Sequence, residues 1–439
     1  MILAIYNILL ITAGILLLPF FLLIILSRAK YRGRTLERSG LRIGKRQNSL
    51  FADTGNTAKK PVIWIHALSV GEVTSAVPLI HALQADMPEA LIILTVGTFS
   101  GKQTAENLLA PFVQVILSGP FDLSFAIQRY IKAFQPDLFL LVETDFWPNW
   151  LALLHKQGIP AMLVNGRISE KSFLLYRRFA FLFRPMFRSF ALLSMQTEAD
   201  CRKMTLLGVP AEKMIALGNL KYDMLLSQET EKSRLLPELP GEEKFVWVCG
   251  STHPGEEKYI FSAFAQVLAQ QKGRKIEEQL ILVLAPRDIN RSRELVDLAG
   301  RFCLKAATRS SSEKKGRVLI LDTLGELAFC YGQADLAFVG GSLVPQGGHN
   351  PVEPAIHGVP VLFGPSMEDF SEIAQELLAC GGGKTVTEDI LTETLLSLLA
   401  DTKKRLRMGR AAQDMVERHR GGVRRHVQAV RDLLVRNDR

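Results

Sequence analysis

The chain has 439 residues, of which 48% are hydrophobic and 22% charged, and its formal net charge is +9. This composition is that of a folded globular protein and excludes a disordered chain, and the length allows two domains of ordinary size. The 5 cysteines are scattered and form no CxxC pair, which argues against a disulfide framework and a structural zinc site and favours a reducing compartment.

The N-terminal residues form the first predicted element. Residues 2–26 carry no charge, and residues 28–46 contain eight Lys or Arg against the single acid Glu37. An apolar stretch of this length can span a hydrocarbon core of about 30 Å, so residues 1–27 are predicted to form a membrane anchor helix, either single-pass or monotopic. The basic flank places the body of the protein on the cytoplasmic side and is expected to face anionic membrane lipid.

Short apolar strands then alternate with helices. The predicted strands of the first half lie at 61–68, 90–96, 138–143 and 160–166. Because strands that are apolar throughout are buried on both faces, this alternation predicts βα units around a parallel sheet. We assign the first domain to residues 28–226.

The same pattern restarts after a charged segment, 227–244, that is predicted to be a linker. The second domain is assigned to residues 245–439, and its basic C-terminal helix pattern (402–437) either caps this domain or crosses back to the first. The predicted fold class is α/β, with two Rossmann-like domains facing each other across a cleft. In such sheets, ligands bind at the carboxyl ends of the strands. Strand segments of the second half are 245–257, 279–288, 317–323, 334–341 and 360–364.

Several familiar signatures are absent. Segment 97–104 has only three residues between its glycines, and Gln103 follows its lysine, so it does not form a Walker A loop. GxGxxG after the first strand, HExxH, GxSxG and DxD are also missing, which argues against hydride transfer, metalloproteolysis and hydrolase chemistry and predicts no metal site. No basic-aromatic interleaving recurs later in the chain, so nucleic acid is not an expected partner.

Polar residues that follow the strands of the first half are candidate catalytic and acceptor-binding residues. Glu72 stands after Gly71, where a strand turns into a helix, and is predicted to be a general base that deprotonates an acceptor hydroxyl. A partner of the helix dipole is the alternative role. Glu143 ends a later strand. The loop after the next strand carries residues suited to carboxylate or phosphate recognition, with a solvated loop as the alternative: Arg167, Ser169 and Lys171.

The second half offers groups that bind phosphate and ribose. Hydroxyls backed by a helix N-terminus, a fixed cation and glycine amides that can wrap a phosphate predict a nucleotide phosphate site. Its candidate residues are Ser251, Thr252, Arg287, Gly340, Gly341, Ser342 and Gly348. Glu353, which follows Asn350 at the start of the next helix, is predicted to accept hydrogen bonds from vicinal ribose hydroxyls.

Seven segments occur in a characteristic order: SVGEV (69–73), VETDFWPN (142–149), NGRISEKS (165–172), GNLKYD (218–223), GSTHPGEE (250–257), DTLGEL (322–327) and VGGSLVPQGGHNPVEP (339–354). Together with the N-terminal anchor, they closely resemble the 3-deoxy-D-manno-octulosonic acid (Kdo) transferases of the lipid A pathway. The resemblance implies a GT-B fold at the inner membrane. It also implies transfer of Kdo, with inversion, from CMP-Kdo to a lipid A precursor (lipid IVA), with no metal and no cofactor.

The resemblance assigns roles to residues that match the family's motifs. Glu72 matches the general base, and Arg287 matches the arginine that contacts the nucleotide phosphate. Asn350 and Glu353 match the CMP site. Arg167 matches the arginine of the family's Asn-Ala-Arg segment.

Some positions depart from the family's pattern. Asp288 stands where the family usually has a histidine, Gly166 stands where it has an alanine, and segment 95–98 reads TVGT where the family usually has threonines. Two other functions stay open. The first is a GT-B glycosyltransferase that uses a UDP-sugar and a lipid acceptor, and the second is a membrane-anchored nucleotide-binding adaptor without turnover. Comparing turnover with CMP-Kdo and with UDP-sugars distinguishes the first function from Kdo transfer. CMP release in the presence of acceptor excludes the second.

Overall fold

The computed structural model describes residues 2–27, 29–41, 43, 60–223, 244–274, 279–311 and 316–437. The predicted linker at 227–244 lies outside these ranges except for its last residue. The chain divides into two compact units, which are unit 1 (Met1–Asp223 with Gly421–Arg439) and unit 2 (Met224–Arg420).

Unit 1 is built on a parallel sheet whose central strands are apolar and buried on both faces, as their sequences predict. The strand order is β3-β2-β1-β4-β5-β6-β7, and each neighbouring pair is parallel. The strands are β1 (Val62–Ala67), β2 (Leu91–Val96), β3 (Val115–Ser118), β4 (Leu138–Val142), β5 (Ala161–Gly166), β6 (Leu192–Met195) and β7 (Met214–Ala216).

Helices pack on both faces of this sheet. Because side chains alternate along a strand, β1 contributes Trp64 to one core, where it lies 5.0 Å from the Phe139 ring, and Ile63 and Ile65 to the other. The helices are α1 (Ile2–Ser27), α2 (Ala29–Arg38), α3 (Val70–Asp86), α4 (Phe99–Leu109), α5 (Ser124–Phe134), α6 (Pro148–Lys156), α7 (Glu170–Arg178), α8 (Ala180–Arg188) and α9 (Glu198–Leu206), with 3-10 helices at Ala211–Lys213 and Leu220–Asp223.

The uncharged N-terminal stretch forms the single helix α1, which has 26 residues. The predicted membrane-crossing segment is not found, because no helix among the described residues has both the length and the apolar character that crossing a bilayer requires. Near its start, α1 is bonded to the body of unit 1. The Tyr6 hydroxyl donates to Asp122 (2.8 Å), and the side-chain amides of Asn7 and Asn149 bond each other (2.7 and 3.0 Å).

Unit 2 repeats the architecture with a second parallel sheet, in the order β10-β11-β9-β8-β12-β13-β14. Its strands are β8 (Phe245–Thr252), β9 (Leu280–Pro286), β10 (Ala306–Thr308), β11 (Val318–Ile320), β12 (Leu336–Val339), β13 (Val361–Phe363) and β14 (Gly383–Thr385). Its helices are α10 (Glu257–Gln270), α11 (Ser292–Arg301), α12 (Leu327–Tyr331), α13 (Val352–Ala355), α14 (Ser371–Cys380), α15 (Leu391–Ala400) and α16 (Thr402–His419), with 3-10 helices at Ile289–Arg291 and Glu368–Phe370.

The last helix, α17 (Gly422–Asn437), belongs to unit 1. The sequence left open whether the C-terminal helix caps the second domain or crosses back to the first; α17 lies with the first, and unit 2 ends at Arg420. The Asp223 carboxylate accepts hydrogen bonds from the backbone amides of Gly421 (2.7 Å) and Val423 (2.6 Å) at the start of α17. Val430 and its apolar neighbours on α17 then join one core of unit 1, which explains why the helix leaves unit 2.

A buried histidine makes this attachment sensitive to acid. His426 is 0% exposed, with its Nδ1 2.7 Å from the Gly422 carbonyl and its Nε2 2.6 Å from the Ser194 hydroxyl. Since a carbonyl can only accept, Nδ1 carries the proton and Nε2 accepts from Ser194. The imidazole is therefore held neutral, and burial lowers its pKa from 6.5 to about 4.

We expect α17 to loosen as the pH falls from about 6.5 towards 4. In this window the unfolded segment binds more protons than the folded one, so stability is lost with acid, by up to roughly 3 kcal/mol. Hydrogen exchange of α17 amides, corrected for intrinsic rates, measures this loss between neutral and acidic buffer. In His426→Gln, the acid-dependent increase in hydrogen exchange of the α17 amides should disappear. An equal response in both proteins would contradict the assignment to His426.

Candidate active site

Glu72 lies in the first turn of α3, just beyond the carboxyl end of β1, and is 5% exposed. The Leu68 amide donates a hydrogen bond to its carboxylate. Burial raises the pKa of Glu72 to about 8; the Leu68 amide opposes this shift, and the charges of Glu143 and Asp145 add to it. A carboxyl group with a pKa near the working pH is suited to act as a general base.

Glu143 lies at the same edge of the sheet, directly after β4. The Ser75 hydroxyl (2.8 Å) and the Asn165 side-chain amide (3.2 Å) both donate to its Oε1 atom. The backbones of Glu143 (φ 61°) and Asn165 (φ 58°) are left-handed, a conformation that is rare outside glycine and concentrates at functional sites. The structure thus brings the two predicted carboxylates close enough for the charge of Glu143 to act on Glu72.

A third carboxylate at this edge, Asp145, was not among the predicted site residues. Its Oδ2 atom lies 2.9 Å from Nε2 of His66, whose Nδ1 lies 2.9 Å from the Thr95 hydroxyl. His66 is 1% exposed, so the ring orients Asp145, whose charge also raises the pKa of Glu72. The pair joins positions 79 residues apart, and a lone histidine inside an apolar strand gives no sign of such a partner.

The loop after β5 and the first turn of α7 carry the three predicted polar residues in exposed positions. The hydroxyl of Ser169 accepts a hydrogen bond from the Ser172 amide (3.1 Å) and caps α7. Its position is therefore explained by helix capping. Arg167 and Lys171 lie on either side of this cap, and both are exposed.

In unit 2, the glycine-rich loop after β12 wraps an anion that belongs to the protein. The amides of His253 and Gly341 donate to Oε1 of Glu256 (2.7 Å each), and the Leu343 amide donates to Oε2 (3.4 Å). Glu256 is 0% exposed, and burial raises its pKa to about 7 despite these donors. The glycine pattern did indicate amides converging on an anion, but the anion is an internal carboxylate.

Other amides of this loop are also bonded within unit 2. The Gly340 amide donates to the Gly250 carbonyl (2.8 Å), and the Gly348 amide donates to the Gly341 carbonyl (3.0 Å). Ser342 is 0% exposed, and its hydroxyl donates to the backbone of β12. The expected cradle of glycine amides around a ligand phosphate is therefore not formed here, and these residues shape the loop.

Ser251 and Thr252 end β8. Ser251 has a φ of 57° and stays partly exposed. Thr252 is 0% exposed, and within the described ranges its hydroxyl has no hydrogen-bond partner. Of the two hydroxyls predicted to meet a phosphate, Ser251 is the accessible one.

We expect Gly340→Ala to destabilise unit 2. A Cβ atom at this position would lie 2.4 Å from the Ser251 carbonyl oxygen and 2.7 Å from the Thr252 Cα. Because both are backbone atoms that cannot rotate away, the cost should be about 2 kcal/mol or more, measured by thermal or denaturant unfolding. Gly300→Ala is the matched control, since nothing lies within 4 Å of its Cβ position. Equal stability of the two variants would contradict this packing.

Three predicted residues meet at the carboxyl edge of the second sheet. Arg287 directly follows β9, and its amide donates to the Thr252 carbonyl (2.9 Å). The Asn350 side chain accepts from the Val352 amide (3.1 Å) at the start of α13. Burial raises the pKa of Glu353 to about 7, while a hydrogen bond from Asn350 and the charge of Arg287 oppose the shift. The Arg287 charge is therefore close to the Glu353 carboxylate.

Two histidines complete this edge. The rings of His253 and His349 stack with 5.1 Å between centroids, and their Nε2 atoms are 2.8 Å apart. Burial and the charge of Arg287 lower the pKa of both rings, that of His349 to about 4. Both histidines stand inside the sequence motifs, but their contact depends on the fold and was not predicted.

Comparisons with known proteins agree with the motifs. Residues 38–224 match the model of a family described as 3-deoxy-D-manno-octulosonic-acid transferase (kdotransferase). A 3-deoxy-D-manno-octulosonic acid transferase of Haemophilus influenzae is 33% identical over 98% of this chain and 99% of its own length. The protein of the same name from Bordetella pertussis is 31% identical over 88% of this chain and 91% of its own length.

Among solved structures, MurG of Acinetobacter baumannii superposes with a TM-score of 0.52 over 85% of this chain and all of its own, at 12% identity. At that identity the likeness shows the fold alone, which is of the GT-B type with two parallel sheets. The level of identity to the Haemophilus protein over nearly the whole chain shows the family. The chain belongs to the family of Kdo transferases, the glycosyltransferases that act in lipid A and lipopolysaccharide synthesis.

Proposed function

We propose that the protein transfers Kdo from CMP-Kdo to lipid IVA, a lipid A precursor, with inversion at the anomeric carbon. The observation that carries this proposal is the environment of Glu72, a buried carboxyl with a pKa of about 8 at the carboxyl edge of the unit 1 sheet. An inverting transfer needs one base for the acceptor hydroxyl, and Glu72 stands in the motif to which the family resemblance assigns that base.

The reaction is a direct displacement. The Glu72 carboxylate takes the proton of an acceptor sugar hydroxyl, and the oxygen forms a bond to the anomeric carbon of Kdo. The bond from that carbon to the CMP phosphate oxygen breaks, and the phosphate keeps the electron pair. Burial and the nearby charges of Glu143 and Asp145 destabilise the ionised form of Glu72, which makes the carboxylate a stronger base than an exposed one.

The second unit supplies the donor site. Arg287 is an exposed cation at the strand edge, and it offsets the negative charge that grows on the leaving phosphate. Ser251 adds an accessible hydroxyl donor. The Glu353 carboxylate, held by Asn350, accepts hydrogen bonds from the ribose hydroxyls of CMP.

Arg167 and Lys171 of unit 1 are assigned to the substrate carboxylate or to the acceptor. Both are exposed on the loop and first turn that follow β5, the strand that pairs with β4. Both therefore stand at the edge that carries Glu143 and Glu72. A planar guanidinium can bind a carboxylate through two parallel hydrogen bonds.

We also propose that the body of the protein is attached to the cytoplasmic face of the inner membrane through α1, as a monotopic contact. Several large apolar side chains of α1 are exposed, among them Ile8 (63%), Leu9 (65%) and Leu16 (74%). Apolar side chains on a helix surface partition into the headgroup region of a bilayer. The bilayer then holds the enzyme and a lipid acceptor at the same membrane surface.

The test is incubation of the purified full chain with CMP-Kdo and a tetraacylated lipid A precursor, followed by mass spectrometry of the lipid. An added mass of Kdo together with release of CMP is the expected result. Transfer from UDP-sugars, and none from CMP-Kdo, would overturn the donor assignment.

A further inference from the structure

Helix α2 lies over the carboxyl ends of β2 and β3, and two of its arginines turn towards the protein. Arg34 donates from its Nη2 atom to the Gly97 carbonyl, directly after β2. Arg38 donates from Nε to the Gly119 carbonyl, directly after β3 (3.0 Å). The sequence predicted that this basic flank faces membrane lipid. For these two residues the prediction is wrong, because both side chains are bonded to strand ends of unit 1.

The carbonyls that hold the two arginines lie beside the loop of the candidate base. A Cβ atom on Gly97 would come within 3.1 Å of the Leu68 carbonyl oxygen, and the Leu68 amide is the one that donates to Glu72. A Cβ atom on Gly119 would lie 2.6 Å from the ring of His66. The two guanidinium groups therefore stand at the same sheet edge as Glu72, on the side of β2 and β3.

The positive charges of Arg34 and Arg38 lie close to each other. Burial lowers the pKa of Arg38, and the charge of Arg34 lowers it further, with partial compensation from Tyr130 and Asp145. Among the residues that the structure describes, no carboxylate oxygen forms an ion pair with Arg34 or Arg38.

Each guanidinium has five N–H donors, and one donor of each is used on a backbone carbonyl. The Arg38 guanidinium also lies 4.3 Å from the centroid of the Phe121 ring, and this contact and the charge of Asp145 offset part of the cost of holding two like charges together. An anion bound to both guanidinium groups would offset more of it. The arrangement is thus suited to an anion that arrives with a ligand.

We propose that Arg34 and Arg38 bind a phosphate monoester on the acceptor and so hold the acceptor sugar beside Glu72. This inference rests on the proposed function, which supplies a lipid acceptor. A phosphate monoester matches the pair because its charge of about −2 offsets both guanidinium charges and its three oxygens can accept hydrogen bonds from both groups, whereas a carboxylate carries a single charge. The two arginines are then specificity-determining residues: they select acceptors that carry this group and do not take part in proton transfer.

The experiment measures equilibrium binding of the lipid A precursor and of its phosphatase-treated counterpart to the detergent-solubilised full chain, without donor. Wild type, Arg34→Gln and Arg38→Gln are compared, since glutamine still donates a hydrogen bond but has no charge. Each variant is expected to bind the phosphorylated lipid about tenfold more weakly and to bind the dephosphorylated lipid as wild type does. Arg129→Gln is the matched control, because Arg129 is exposed and bonds the Ser39 carbonyl near the same helix.

A bilayer phospholipid carries the same phosphate group, so a second arm of the experiment distinguishes binding of bilayer lipid from binding of the acceptor. Flotation with phosphatidylcholine vesicles, with and without phosphatidic acid, is expected to give equal binding for wild type and variants. The proposal is overturned if the variants lose only the additional binding to vesicles that contain phosphatidic acid. It is also overturned if the variants bind the phosphorylated and the dephosphorylated lipid more weakly by the same factor.

Arg34→Lys guards against a folding defect, since it keeps the charge but not the planar set of donors and should retain part of the preference for the phosphorylated lipid. Because no turnover is measured, these outcomes do not depend on whether Kdo is transferred. Failure of the proposed function would appear separately, as absence of product with the wild-type chain.

Discussion

Glu72→Gln is expected to lower kcat by about a thousandfold, with the KM of the acceptor changed little. Glutamine keeps the size of the side chain and can still bond near the Leu68 amide, but it cannot accept a proton. General base catalysis typically contributes 10²–10⁴-fold, and a base that acts only in the transition state affects kcat more than ground-state binding. Initial rates of Kdo transfer at saturating donor, followed as CMP release, measure the effect.

The matched control for this variant is Glu89→Gln. Glu89 is an exposed glutamate in the loop that follows α3, so its replacement removes the same charge without touching the strand edge. Wild-type turnover is expected for this control. Near-wild-type turnover by a folded Glu72→Gln protein would remove Glu72 as the base and leave Glu143 and Asp145 as the remaining candidates at that edge.

Arg287→Gln should have the second largest effect, with kcat reduced about a hundredfold and the KM of the donor increased. The guanidinium is the cation placed at the edge of β9, close to the Glu353 carboxylate. Removing one preorganised group that stabilises charge in the transition state typically costs 10²–10³ in kcat. Steady-state kinetics with varied CMP-Kdo measure both parameters.

For Arg287→Gln the control is Arg293→Gln, an exposed arginine on the neighbouring helix α11. A second readout is the affinity for CMP alone, which should weaken in Arg287→Gln and stay unchanged in the control. If CMP binds Arg287→Gln as tightly as wild type and turnover persists, the leaving phosphate is stabilised elsewhere, and Ser251 is the next candidate.

The pattern of alternating apolar strands and helices was enough to predict both parallel sheets and the placement of Glu72. Strand period and loop position are local properties, and they are visible in a single sequence. Glu143 and Arg287 were predicted for the same reason, because each directly follows an apolar strand.

Contacts between distant segments were not predictable. The bond from His66 to Asp145 and the stacking of His253 on His349 each join residues from separate βα units, and nothing in either segment alone indicates the partner. Glu256 shows the same limit in another form. The glycine pattern indicated an anion site, but only the fold shows that Glu256, 85 positions from Gly341, occupies it.

Charge alone also misassigned Arg34 and Arg38. A basic run after an apolar stretch is typical of a membrane flank, yet these two side chains are bonded to the ends of β2 and β3. Which face of α2 meets the sheet depends on the docking of the whole helix. The docking includes Glu37, whose carboxylate accepts hydrogen bonds from the Ser118 amide and from Lys102 (3.1 Å each).

The most direct test of Glu72 as the base is the pH dependence of kcat/KM for the acceptor at saturating CMP-Kdo. With a pKa of about 8, only about a tenth of the Glu72 groups are ionised at pH 7 in the free protein. The rate should therefore rise about tenfold per pH unit below this pKa and level off above about pH 8, and Glu72→Gln should show no such rise. A wild-type profile that is flat across this range, or one that falls as Glu72 ionises, would contradict the mechanism.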